Sequence, residues 1–320
     1  VCRVFDWIDH IDLFDVMPGQ ASLKMYGGKM HSKRLQDLPI EPSALITPEQ
    51  RQVLRDYCRN DLATTGDAHR AMSAQLALRE AMSAEYGIDL RSKSDAQIAG
   101  AVMKVLLPFK VVCPYIPPGT RFTYRPPEWL QFQSLDLLQQ LARMEFVIND
   151  KGSVSPPFAA TFIDWGDDQI RMDPHGMWVK RPQGWITRQV RIGRTSYAVG
   201  IGGLHSMESK VCQVADADYE LTDHDVRAYY PSLILATGIY PQQIGVDFIR
   251  IYREWYMRRN APGGAKDRSE DASLSKAERV AAKKESNSLK TLLNAVFGHL
   301  GNMWSIFYAP SEMIQVTVGG

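Results

Sequence analysis

The sequence predicts a mixed α/β (α+β) chain, and three observations carry this. Helical periodicity runs from Thr47 to Asp61 and from Asp67 to about Leu106. It returns from Ile249 to Leu293. Between these blocks, Phe146 to Val199 breaks into short apolar runs separated by Gly, Pro and Asp turns, the pattern of antiparallel strands.

A chain of 320 residues is long enough for two domains or one large one. Its net charge of +1 gives no global basic signal, so any contact with nucleic acid must come from local patches. Cys2, Cys58, Cys113 and Cys212 form no C-x-x-C pair. This disfavours a zinc site and a disulfide framework and suits a reducing compartment. No apolar run is long enough to span a bilayer, and no signal peptide is visible. The chain opens at Val1 and closes on Thr317-Val-Gly-Gly320, and both ends read as cuts through a longer protein.

Taken in order, Val4 to Val16 alternates apolar and acidic residues and predicts one or two strands ending at Pro18-Gly19. Ala21 to Tyr26 predicts a short helix stopped by Gly27-Gly28. Thr47-Pro-Glu-Gln50 predicts a helix start, with Thr47 as N-cap and Gln50 completing a capping box. Tyr57 and Asp61 then fall one turn apart on one face. Such a carboxylate can hold a metal ion while the phenol orients a water for phosphodiester hydrolysis; an ordinary surface pair is the alternative.

Asp67 to Tyr86 predicts one helix, and Ser92-Lys-Ser-Asp95 caps another running to about Leu106. Met72, Met82 and Met103 read as core filler. A Pro-rich connector spans Pro108 to Pro127, and Trp129 to Arg143 predicts a short amphipathic helix. His175 sits in a turn of the strand-rich block with no second His nearby, and reads as a loop residue. Gly202 and Gly203, in a glycine-rich segment, are either a hairpin loop or a place where a phosphate backbone comes close.

Two stretches carry the chemistry. In Asp223-His-Asp225-Val-Arg-Ala-Tyr-Tyr-Pro-Ser232, Asp225-Val226 reads as a buried strand end and Tyr229 to Ser232 as a turn into a helix. Pro231 fixes φ in the opening turn of that helix. An acid there can hold a cation with a triphosphate across it, or it can simply cap the helix. Downstream, Ile249 to Arg259 and a helix starting at Ser275 form an antiparallel pair, with Ala261-Pro-Gly-Gly-Ala265 as a flexible tip. On the second helix Arg279, Lys283, Lys290 and Asn294 fall within about 60° of one another at roughly 100° per residue. That row fits a triphosphate-binding face, with a solvated surface as the alternative. Turns are expected at Gly298 and Gly301, then a helix start at Pro310.

Asp225 to Ser232 and Lys290-Thr-Leu-Leu-Asn294-Ala-Val-Phe297-Gly298 together resemble motifs A and B of family B DNA polymerases, particularly phage and prophage enzymes. Ala228 and Tyr229 depart from the first pattern, Ala295 and Phe297 from the second. Asp12, Asp15, Ser22-Leu23 and Tyr57-x-x-x-Asp61 resemble the last third of the ribonuclease H-like 3′–5′ exonuclease domain that precedes such polymerases.

The resemblance implies an exonuclease end at 1–68, a connector at 69–145 and a β-rich insertion at 146–199. It then implies a palm at 200–248, helical-hairpin fingers at 249–300 and a return to the palm at 301–320. The other exonuclease motifs would precede Val1, and the Asp pair of the palm would follow Gly320.

It also implies templated addition of deoxynucleoside triphosphates to primer–template DNA with two Mg²⁺ ions, in the host cytoplasm. Asp225 would bind metal through its carboxylate and Val226 through its carbonyl; Asp61 would bind metal in the exonuclease. Tyr229 would present backbone N–H to the triphosphate, and Tyr230 would lie beneath the deoxyribose. Lys290, helped by Arg279 and Lys283, would neutralise phosphates. Asn294 and Phe297 would pack near the nascent pair, while Gly202, Gly203 and Gly298 would face DNA. A chain acting mainly as a nuclease, or a non-catalytic DNA-binding remnant, are the alternatives.

Overall fold

The computed structural model describes residues 8–19, 21–133, 137–138, 145–155, 170–172, 178–180, 186–192, 195–200, 203–218 and 220–320. It is an α+β arrangement of helices and small antiparallel sheets. Helices α1 (Leu23–Lys29), α2 (Gln50–Ala71), α3 (Ser73–Tyr86) and α4 (Asp95–Leu106) come first. Strands β1 (Arg121–Thr123), β2 (Glu145–Ile148) and β3 (Val154–Ser155) form one sheet, and β4 (Ile170–Met172) pairs with β5 (Trp178–Lys180). A third sheet joins β6 (Ile186–Ile192), β7 (Thr195–Gly200) and β8 (Gly203–Ser206). Helices α5 (Tyr229–Thr237), α6 (Val246–Asn260), α7 (Ala265–Glu270), α8 (Lys276–Leu300) and α9 (Pro310–Gly319) complete the chain. Among the described residues no helix is long and apolar enough to cross a membrane.

The main core is built on α8. It buries Ala282, Ser286, Leu289, Leu293, Val296 and Leu300, alternating steps of four and three that keep one stripe inward. Ser275 and Glu278 close a reciprocal capping box at its start. Against that stripe α6 buries Phe248, Ile251, Tyr252 and Trp255, again at helical spacing. The Tyr252 hydroxyl donates to the Leu293 carbonyl at 2.9 Å, so the phenol is satisfied although burial pushes its pKa upward. Ile98, Val102 and Met103 of α4 enter the same core. A second core lies under the first sheet, where Phe146, Ile148 and Val154 meet Tyr124 and Ile314. The two are tied by Tyr308, whose hydroxyl donates to the Gly152 carbonyl at 2.8 Å.

Several sequence expectations are corrected. Residues 8–16 form bends and turns rather than strands, with Val16 and Met17 N–H both donating to Leu13 O; Val4 to Trp7 lie outside the described residues. Gly27 and Gly28 do not stop α1 but lie inside it. A Cβ on Gly27 would come within 2.8 Å of Leu35 and 3.0 Å of Thr64, so the glycine serves close packing. The helix predicted over Asp67 to Tyr86 is split at Met72 between α2 and α3. The capping box of α4 uses Ser94 and Gln97, leaving Ser92 to accept from the Asp12 N–H. Trp129 to Gln133 is irregular, Leu137 and Leu138 within the expected helix are helical, and the rest of that segment lies outside the described residues. The sheet at Phe146 recruits β1 from within the Pro-rich connector, pairing Phe122 with Phe146. Finally, α8 runs through Gly298 and turns only at Gly301.

Other expectations stand. Thr47 and Gln50 exchange both hydrogen bonds of their box, Met82 and Met103 are fully buried, and α9 begins at Pro310. His175 lies outside the described residues.

Glu312, in the first turn of α9, yields a pH prediction. Burial pushes its carboxyl above the usual glutamate range, against smaller lowering from its own backbone amide and Gln242. A raised folded-state pKa means stability is fully present below the unfolded value, about 4.3, and is lost as pH rises through the folded value. Glu312→Gln should therefore raise Tm at pH 7 and lose that advantage near pH 4. Thermal melts across pH check this, and a pH-independent difference would count against the assignment.

Candidate functional site

The stretch around Asp225 is organised by its corner. Ala228 takes φ 51° and ψ 56°, the left-handed region that a residue with a Cβ avoids. Strain of this kind persists only where the surroundings impose it. Here Ser232 imposes it: its Oγ donates to the Arg227 carbonyl at 3.0 Å, and its N–H donates to Ala228 O at 2.9 Å. The same Oγ lies 3.2 Å from the Tyr256 hydroxyl, which fastens the corner to α6.

The corner delivers Tyr229, Tyr230 and Pro231 as the first turn of α5. Asp225-Val226 is not a buried strand end. Both residues are exposed, Val226 by 53%, and no strand among the described residues lies alongside to take their backbone hydrogen bonds.

Tyr230 and Phe297 stack at 3.8 Å between ring centroids with 6° between planes. This contact brings the two chemistry-bearing stretches together. A cleft of about 420 Å³ opens between the same two stretches, and Val226, Tyr229, Tyr230 and Phe297 do not line it. Asp225, Lys290 and Asn294 line it. Lys290 and Asn294 reach it because they lie on the exposed stripe of α8, opposite its buried face.

Arg227, Arg259, Lys266, Asp267 and Glu270 also line the cleft, and sequence reasoning missed them. Arg227 lies inside the first stretch and Arg259 ends the Arg-rich helix, so both carried a signal. Lys266 to Glu270 carried none, because the expected flexible tip is in fact followed by the short helix α7.

The electrostatics are uneven. Arg227 is ion-paired with Asp267 at 2.8 Å, which holds the Asp267 carboxyl below its usual range. Arg259 donates from Nε to Ser286 O at 3.1 Å and from Nη1 to Asn260 Oδ1 at 2.8 Å. Burial first, and the charge of Arg227 second, push its pKa downward, against a smaller raising effect of Glu270. Arg227, Arg259, Lys266 and Lys290 share the cleft with Asp225, Asp267 and Glu270, so its cations exceed its carboxylates by one, and Lys266, Lys290 and Arg259 are the cations left once Arg227 is paired with Asp267.

Not every expected residue joins this site. Lys283 shares the exposed face of α8 but does not line the cleft. Arg279 lies eleven residues from Lys290, roughly 16 Å along the helix. Its charge acts on Asp271, and its buried Nε has no hydrogen-bond partner. Gly298 is exposed with open space where a Cβ would stand. Gly203 pairs with Gly200 in a β7–β8 hairpin. A Cβ on it would meet Thr317 O at 3.0 Å, so α9 rather than a ligand presses on it. Gly202 lies outside the described residues.

The second candidate site is thinner. Asp61 lies near enough to Tyr57 to raise the phenol pKa, and Lys24 stands close by in ion-pair contact with Asp37 at 2.6 Å. Asp12 and Asp15 lie instead against the start of α4: Ser92 accepts the Asp12 N–H, and Gln97 approaches Asp15 at 3.5 Å. Among the described residues no three His, Cys, Asp or Glu side chains converge to hold a metal ion. Two Mg²⁺ ions need near-octahedral oxygen sets, and neither site assembles them: Asp267 is committed to Arg227, leaving Asp225 and Glu270 at the cleft.

No protein-family model, no curated protein and no solved structure matches the chain.

Proposed function

We propose that this chain is part of a family B-type DNA polymerase, and that the cleft between α5 and α8 takes the triphosphate of an incoming deoxynucleotide. One observation carries the reading. The Tyr230–Phe297 stack unites the two stretches that resemble motifs A and B, with Asp225, Lys290 and Asn294 around one cleft.

The reaction is templated nucleotidyl transfer. A primer 3′-hydroxyl attacks the α-phosphorus, a phosphodiester bond forms and pyrophosphate leaves. Lys290, Lys266 and Arg259 neutralise the triphosphate oxygens by charge-assisted hydrogen bonds. Tyr229 and Tyr230 open α5, whose free N–H groups favour an anion. The Tyr230 ring supports the sugar. Tyr57 and Asp61 belong, in this reading, to the accompanying 3′–5′ exonuclease domain. Primer–template DNA and deoxynucleoside triphosphates are the partners, and the host cytoplasm the location.

The test is equilibrium binding of a fluorescent deoxynucleoside triphosphate to the chain, with unlabelled nucleotides as competitors. Saturable binding displaced by deoxynucleoside triphosphates and poorly by the nucleoside is expected. Equal displacement by the nucleoside would remove the phosphate-binding role and the proposal with it.

A further inference from the structure

We infer that the groove on the other side of the exposed α8 stripe carries a single-stranded polynucleotide, which leaves it over an aromatic platform at Trp304 and Tyr115. The inference extends the reading of Lys290 and Asn294 as nucleotide-facing residues, since both also line this groove.

The groove is the larger of the two at α8, about 1140 Å³, and runs between the start of α3, the start of α4 and the outer face of α8. Its chemistry fits a chain of phosphates and bases better than a compact ligand. Lys284 and Lys290 supply cations about one and two-thirds turns apart, roughly 9 Å along the helix. The side-chain amides of Gln75, Asn287 and Asn302 supply donors and acceptors without net charge. Asp95 is the one carboxylate in its lining among the described residues. It is held at 2.7 Å by Arg79, whose own side chain is buried, so its charge is offset from within. Within the lining itself a polyanion therefore meets two cations and one carboxylate that is already paired, with Asp15 standing outside it beyond Gln97.

Asn302 leads from the groove to the platform, its Oδ1 accepting from the Trp304 N–H at 2.9 Å. Trp304 is 80% exposed and Tyr115, on the neighbouring loop, 76% exposed. The loops are joined where Cys113 Sγ meets Trp304 O at 3.3 Å. Residues 104–115 contain Lys104 and Lys110 and no acid, and residues 299–309 contain no acid either. Exposed rings on two joined loops whose own residues include cations and no acid suit base stacking along a single strand.

Fluorescence anisotropy with a short labelled oligothymidylate, alongside a duplex of equal length, tests this. Trp304→Ala should weaken the single strand about tenfold and leave the duplex nearly unaffected; Trp304→Phe should keep most of the affinity. Lys284→Ala should make the dependence of log K on log salt shallower by about 0.7. Neither Trp304→Ala nor Lys284→Ala should change deoxynucleoside triphosphate affinity or Tm, because both side chains are exposed outside the smaller cleft. Unchanged single-strand affinity in Trp304→Ala with an unchanged salt slope in Lys284→Ala overturns the inference. So does equal loss of duplex and single-strand binding in Trp304→Ala. If nucleotide binding fails while the single-strand results hold, the reading of the smaller cleft falls and this one stands.

Discussion

Lys290→Ala is expected to weaken deoxynucleoside triphosphate binding by roughly 10- to 150-fold, the loss of one charge-assisted phosphate contact worth about 1.5–3 kcal/mol. The side chain is exposed on the cleft wall and outside the buried stripe of α8. Its removal costs no core packing, and Tm should stay within a degree or two. Lys290→Arg should restore part of the affinity, because the charge returns with a different reach and fork. The measurement is Kd by titration, with melting curves for each variant. Lys283→Ala serves as the comparison: it lies on the same helix face but does not line the cleft. Equal effects at the two positions would mean a diffuse field along α8 rather than a phosphate contact, and would place the triphosphate elsewhere.

The second large effect concerns the sugar. The Tyr230 ring is pinned face to face against Phe297 and tilted against Tyr229 at 5.4 Å, while 37% of the residue stays exposed. A ring held this way is a fixed surface. If the sugar rests on it, a 2′-hydroxyl is rejected by overlap rather than by lost attraction. Tyr230→Ala should then narrow the preference for dATP over ATP by roughly tenfold, whereas Tyr230→Phe should hardly alter it. Tyr229→Ala should not relax the choice selectively. Stability gives a separate readout. A fully buried aromatic costs roughly 3–5 kcal/mol on truncation. This half-exposed one should cost less, near the roughly 0.5–1.5 kcal/mol of its stacking plus partial burial. The ratio of Kd values for the two sugars and the Tm of each variant decide the matter. A destabilised Tyr230→Ala with an unchanged ratio would make Tyr230 a packing residue and remove it from the site.

Elements whose cause is local are legible in the chain alone. The capping pairs Thr47/Gln50 and Ser275/Glu278 bond as their spacing requires, and the strand block at Phe146 to Val199 is antiparallel where it is described. The alternation of apolar steps along α8 also decided which residues face out. That put Lys290 and Asn294 on one exposed stripe before any packing was known.

What is not local was decided by tertiary structure. Gly27 and Gly28 read as a stop from the chain alone, yet α1 passes through them because Leu35 and Thr64 fill the space a side chain would take. Asp225-Val226 read as a strand, but a strand is a pairing, and no partner lies alongside among the described residues. Lys266 and Glu270 enter the cleft only because α7 folds back onto α8. Arg279 and Lys283 share a helix face with Lys290 but stand too far along the axis to share its cleft. Periodicity fixes the angle around a helix axis; the distance along it to a second element is set only when the two elements pack.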